Sequence, residues 1–282
     1  MTEWTTLVSA EQLHAALERD DVVVLDARVQ LSDRAAGEAA FRAGHIPGAR
    51  HADLDRDLTD HSKTHAGRHP WPDAASVTQA LQRWGISPGH QVIVYDAGDG
   101  ALAAARAWFL LKALGHRKVA VLDGGWARWT AMGLPVDTAM PAAEPSHYAA
   151  GFEPSRLLDA EQVQAHLASG GTLVDARAAE RFRGEVEPLD RVAGHVPGAI
   201  NRPYAQNLRD GQFKPADELA SEFKALLGDT PANEVVVMCG SGVTACHHLL
   251  AMEHAGLPGA RLFTGSWSGW IDDPARPVAT GG

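Results

Sequence analysis

The sequence is short of cysteine: Cys239 and Cys246 are the only two in 282 residues. A disulfide framework is therefore excluded as a source of stability. Placed on one helix, the two would stand roughly 10 Å apart along its axis, beyond the ~7 Å between Cα atoms that a disulfide tolerates. Free thiols in a reducing cytoplasm are expected. Long apolar runs are lacking as well. The most apolar helix-like stretch, 101–114, is broken by Arg106 and Lys112, and a membrane span needs about 18 uninterrupted apolar residues. The opening MTEWTTLVSAEQL has neither a basic start nor an apolar core, so no signal peptide is expected. Positive charge is scarce, with 25 Lys and Arg against 35 Asp and Glu and a formal net charge of −10. There is no basic tract and no basic patch interleaved with aromatics. This excludes nucleic acid as a partner but leaves room for a small anion at a locally positive site.

What the sequence does contain is a set of landmarks that occurs twice in one order. Ser9-Ala10-Glu11-Gln12 is matched by Asp159-Ala160-Glu161-Gln162, each an N-cap residue with Gln three positions on, the capping-box pattern that opens a helix. Apolar strands follow, VVVLDAR ending at Arg28 and TLVDAR ending at Arg177. Gly44-His45-Ile46-Pro47-Gly48-Ala49 is matched by Gly194-His195-Val196-Pro197-Gly198-Ala199. A second strand, VIVYD to Asp96, is matched by VVVMC to Cys239, each followed by a glycine-bearing turn. Last come Asp123-Gly124-Gly125-Trp126 and Thr264-Gly265-Ser266-Trp267, each with a further Trp three positions on. The offsets are 149 or 150 early and 143 or 141 late, too regular for chance.

Short apolar strands alternating with helices predict an α/β fold, twice over, each copy a parallel sheet flanked by helices with its site at strand C-termini. The Pro-, Ala- and Gly-rich stretch between the copies reads as a linker. The expected division is residues 1–140, a linker at 141–156, and residues 157–282.

Cys239 falls at the end of a buried-type strand, on a turn that leads into a helix. Backbone N–H groups of such a turn converge on one point, and the helix end adds partial positive charge there. Both stabilise an anionic sulfur, whether the thiolate or the terminal sulfur of a persulfide. Cys246, at an apolar position inside the helix, reads as a buried small hydrophobe.

The repeat, the Cys loop and the two GH(I/V)PGA boxes resemble the tandem rhodanese family of sulfurtransferases, over nearly the whole chain. The resemblance implies a catalytically silent first copy, where Asp96 stands at the Cys position, and a persulfide-forming Cys239 in the second. The loop Cys239-Gly240-Ser241-Gly242-Val243-Thr244 is similar to that of enzymes using 3-mercaptopyruvate, whereas thiosulfate-preferring relatives carry Arg and Lys after the Cys. A loop without a cation of its own predicts preference for the monoanionic mercaptopyruvate. Arg181 matches the family's substrate-binding Arg, and its planar fork suits a carboxylate. A second Arg expected before the GHIPG box has no clean counterpart; Arg183 and Arg191 are the weaker candidates, and the choice of donor stays open. By the same resemblance Asp55 and His69 are a proton-handling pair near the Cys. The implied acceptor is a thiol, such as thioredoxin, or cyanide.

Other readings fit less well. A dual-specificity-type phosphatase would need an Arg six residues after the Cys, where this chain has Ala245. A non-catalytic binding module would have no use for an intact Cys loop. Fourteen histidines invite a metal reading, but His45 and His195 recur in the repeated boxes, which points to structure. His247 and His248 are adjacent on the predicted helix and should face different ways. No metal and no cofactor are expected.

Overall fold

The computed structural model describes residues 2–282. Two five-stranded sheets are built alike. The first contains β1 (Leu7–Val8), β2 (Val22–Asp26), β3 (Arg50–His51), β4 (Gln91–Tyr95) and β5 (Val119–Leu122), in the order β1-β5-β4-β2-β3. The second contains β6 (Leu157–Leu158), β7 (Thr172–Asp175), β8 (Ile200–Asn201), β9 (Val235–Met238) and β10 (Arg261–Phe263), in the order β6-β10-β9-β7-β8. Every pairing within these two sheets is parallel. The Val-rich strands β4 and β9 are buried along their whole length, as a parallel sheet with helices on its faces requires.

The chain divides into two compact units, neither of them one continuous stretch. The first comprises Met1–Thr59, Pro72–Glu153 and Asp210–Phe213; the second comprises Asp60–Trp71, Pro154–Arg209 and Lys214–Gly282. A simple division at 140 and 157 carries no sign of the two exchanged segments.

The repeated landmarks prove to be one interlocking device. Helices α1 (Ala10–His14) and α3 (Ala160–Ala168) each begin with a complete capping box, Ser9 with Gln12 and Asp159 with Gln162. In the Asp-Ala-Arg strand ends, Arg28 bonds Asp26 at 2.6 Å and Arg177 bonds Asp175 at 2.7 Å. The same guanidiniums donate to the carbonyls of Gly44 and Gly194, at the head of each GH(I/V)PGA box. Each also lies over the Trp of the last landmark, Arg28 on Trp126 at 4.3 Å and Arg177 on Trp267 at 4.8 Å. One buried arginine per unit thus ties three distant landmarks together. His45 and His195 are structural, as expected: each stacks on a phenylalanine, Phe41 or Phe182, and pairs its Nδ1 with that residue's carbonyl.

Helix α2 (Ala103–Ala113) follows β4, and α5 (Ala245–His254) follows β9. The adjacent His247 and His248 on α5, expected to face apart, instead both bring Nδ1 to the Asn207 side-chain nitrogen, at 3.1 and 2.7 Å. Nε2 of His248 meets the Arg202 carbonyl at 2.6 Å, so it must carry the proton, and Nδ1 accepts from Asn207. Burial pushes the His248 imidazole down from its usual value to about 3. Its folded pKa lies below its unfolded one, so the unfolded state takes up the proton first. Stability is present above about pH 6.5 and drains away as pH falls towards 3, by on the order of 1 kcal/mol per pH unit. Denaturant titrations at pH 7 and pH 4 should show this slope, and His248→Asn should flatten it.

Candidate active site

The site is assembled on the end of β9. Cys239 is buried, at 4 % exposure, and its backbone is held on both sides by the turn after β10. The Cys239 amide donates to Ser266 Oγ at 3.1 Å, and the Trp267 and Ser268 amides donate to the carbonyls of Cys239 and Gly240 at 3.0 and 2.9 Å. The loop then runs through Gly240, Ser241, Gly242 (φ +78°), Val243 and Thr244 into α5. Among the described residues, the Ser241, Val243 and Thr244 amides have no acceptor. Thr244 stands at the N-cap position but makes no side-chain cap, so its hydroxyl remains a loop group.

The corresponding loop of the first unit is closed on itself. Asp96, buried at the end of β4, accepts from the amides of Gly98 at 3.1 Å, Gly100 at 3.0 Å and Leu102 at 3.3 Å. Burial raises its carboxyl to about 6, against the pull of those amides. By position Ser241 and Val243 match Gly98 and Gly100, so two N–H groups that lack an acceptor in one loop hold the Asp96 carboxylate in the other.

Around the Cys239 loop the second unit brings together His69, Arg68, Arg181 and Asp190. The segment bearing His69 docks on the 265–269 turn through Gly67, whose φ is +84°; a Cβ there would lie 2.6 Å from the Gly265 carbonyl. His69 Nδ1 meets Ser241 Oγ at 2.8 Å. Arg181, on the short helix α4 (Ala179–Phe182), is no solvated surface charge. It bonds Glu187 at 2.6 Å and Asp190 at 3.3 Å. Burial alone would raise the Glu187 carboxyl, but hydrogen bonds from Arg181 and from the Leu189 and Asp190 amides outweigh it and hold it below the usual range.

A family model described as the rhodanese-like domain matches the chain twice, over residues 9–132 and 159–273. The chain belongs to the rhodanese family. Among its relatives, a probable 3-mercaptopyruvate sulfurtransferase of Pseudomonas aeruginosa is 50% identical over 279 residues, 98% of either chain. A putative thiosulfate sulfurtransferase, SseB, of Mycobacterium tuberculosis is 41% identical over 285 residues, covering 98% of this chain and 97% of that one. Among solved structures, the 3-mercaptopyruvate sulfotransferase SseA of Escherichia coli has a TM-score of 0.80 at 32% identity, over 94% of this chain and 100% of that one. Among the described residues no helix is long and apolar enough to cross a membrane.

Within this rhodanese the remaining candidates are distributed as follows. Asp55 lies in the first unit and ion-pairs with Arg34 at 3.1 Å. Arg183 is held by Glu185 at 2.7 Å, and Arg191 by the Ile271 carbonyl and by Asp272. Cys246 is buried in α5, its thiol donating to the Gly242 carbonyl at 3.4 Å. Arg68 was missed by sequence reasoning. Its one signal was its place beside His69, in Gly67-Arg68-His69-Pro70.

Proposed function

We propose that this sulfurtransferase takes sulfane sulfur from 3-mercaptopyruvate onto Cys239 and passes it to a thiophilic acceptor, a thiol such as thioredoxin or cyanide. The Cys239 thiolate attacks the donor sulfur. An S–S bond forms as the donor C–S bond breaks, and the electron pair stays on carbon as the pyruvate enolate. The Ser241 hydroxyl, backed by His69, supplies the proton that turns the enolate into pyruvate. Arg181 anchors the donor carboxylate while this happens. The acceptor then attacks the outer sulfur, the S–S bond breaks, and the Cys239 thiolate returns; with cyanide the product is thiocyanate. The first unit takes no part in the chemistry, Asp96 having no sulfur to offer.

The observation that carries this reading is the contrast between the two loops. Amides without an acceptor surround Cys239, where a persulfide anion would be held, whereas the same loop position in the first unit is filled by a carboxylate. Mass spectrometry of the protein after exposure to 3-mercaptopyruvate should show a gain of one sulfur atom, mapped to the Cys239 peptide and removed by cyanide. No gain, or a gain on Cys246, would refute the proposal.

A further inference from the structure

The cations facing the Cys239 loop come from two separate stretches of the second unit. A Cβ built on Gly240 would lie 3.1 Å from Nη2 of Arg68 and 3.6 and 3.7 Å from Nη2 and Nη1 of Arg181. Both guanidiniums therefore lie against the residue next to Cys239. Asp190 lies between the two: it pairs with Nη1 of Arg68 on one side and Nη2 of Arg181 on the other, with its side chain 4% exposed. Among the described residues, Nη2 of Arg68 and Nη1 of Arg181 have no acceptor. Nη2 of Arg68 and both Nη atoms of Arg181 face the loop, and of these Nη2 of Arg181 is already engaged by the two carboxylates.

We propose that Arg68 and Arg181 form a two-guanidinium clamp for the donor anion, and that Asp190 is its internal counter-ion, setting which donor charge the clamp accepts. The loop lacks a cation of its own, yet it does not lack a second cation: Arg68 provides it. With residue 239 uncharged, as in C239S, the surrounding charges balance without a donor, Arg68, Arg177 and Arg181 against Asp175, Glu187 and Asp190. A monoanionic donor adds one uncompensated charge to this cluster and dianionic thiosulfate adds two. In a poorly solvated site that difference is costly, so Asp190 biases the clamp towards the monoanion. Neutralising Asp190 relieves the dianion more than the monoanion.

This inference rests on the proposed donor site at Cys239, and its test separates the two. In C239S, which cannot take up sulfur, donor binding is measured at equilibrium by titration calorimetry with thiosulfate and with pyruvate, the desulfurated donor. Adding Arg68→Ala should weaken both ligands about tenfold to a hundredfold, as loss of a charge-assisted hydrogen bond implies, and Arg68→Lys should restore part of it. Adding Asp190→Asn should tighten thiosulfate by about tenfold and pyruvate by less. Melting temperatures close to that of C239S confirm that the variants are folded. An unchanged affinity in the Arg68→Ala variant overturns the clamp. Weaker binding in the Asp190→Asn variant overturns the counter-ion role, leaving Asp190 as a strut that positions the two arginines. Persistent sulfur transfer by C239S would instead refute the persulfide reading and leave the binding results standing.

Discussion

Replacement of Cys239 by serine is expected to lower sulfur transfer by about a thousandfold or more, with the fold unchanged. Serine keeps the size of the side chain and the backbone bonds to Ser266, Trp267 and Ser268. It cannot form the S–S bond of the proposed route, and loss of a nucleophile is among the largest single-residue effects on turnover. Cys246→Ser is the internal control. That thiol is buried in α5 and donates to the Gly242 carbonyl, a bond a hydroxyl can also make, so turnover should change by no more than about twofold. Steady-state rates with one donor and one acceptor, alongside melting curves, decide the matter. Substantial activity in Cys239→Ser would end the persulfide mechanism.

The largest effect on stability is expected from Arg177→Ala. The Arg177 side chain is 1% exposed and its partner Asp175 is fully buried. Removal strands the Asp175 carboxylate and orphans the Gly194 carbonyl, and it strips the cation from the face of Trp267. Leaving a buried charge unpaired costs about 3–5 kcal/mol, enough to lower the melting temperature by roughly 10 °C in a unit of this size. Arg177→Ala combined with Asp175→Asn should recover part of the loss, because the stranded charge goes with it. A drop of under about 1 kcal/mol would mean that the landmark triangle is packing rather than electrostatics. The consequence extends to the donor site. Glu187 bonds Arg177 at 3.4 Å and Arg181 at 2.6 Å, so the residue that steadies Arg181 is itself steadied by the core arginine.

The fold was legible because its landmarks are local and occur twice. Capping boxes, Asp-Ala-Arg strand ends and GH(I/V)PGA turns each announce themselves within a few residues, and their near-constant offset exposes two copies of one unit. The position of Cys239 was legible for the same reason: a strand, a glycine-bearing turn and a helix follow one another directly. Arg68 was not. It lies in an aperiodic segment whose companions in the second unit are far away in sequence, its partner Asp190 being 122 residues on. The membership of residues 60–71 in the second unit is equally silent, since no periodicity marks which core a loop joins. The carboxylates around Arg181 also escaped, because an Arg in a short helix looks like a surface charge until Glu187 and Asp190 are seen to fold back on it. The pair at His247 and His248 shows another limit. Helical spacing separates neighbouring side chains, but one asparagine amide with two hydrogens gathers both rings.

The carboxylate that fills the first unit's loop bears on stoichiometry. Asp96 gives the amides of Gly98, Gly100 and Leu102 an acceptor from within the loop, and a carboxylate oxygen cannot accept sulfane sulfur and release it. On the proposed persulfide route the architecture is doubled but the carrying capacity is single. A chain charged by its donor and then separated from it can deliver one equivalent of sulfur and no more, so each delivery requires a fresh encounter with the donor.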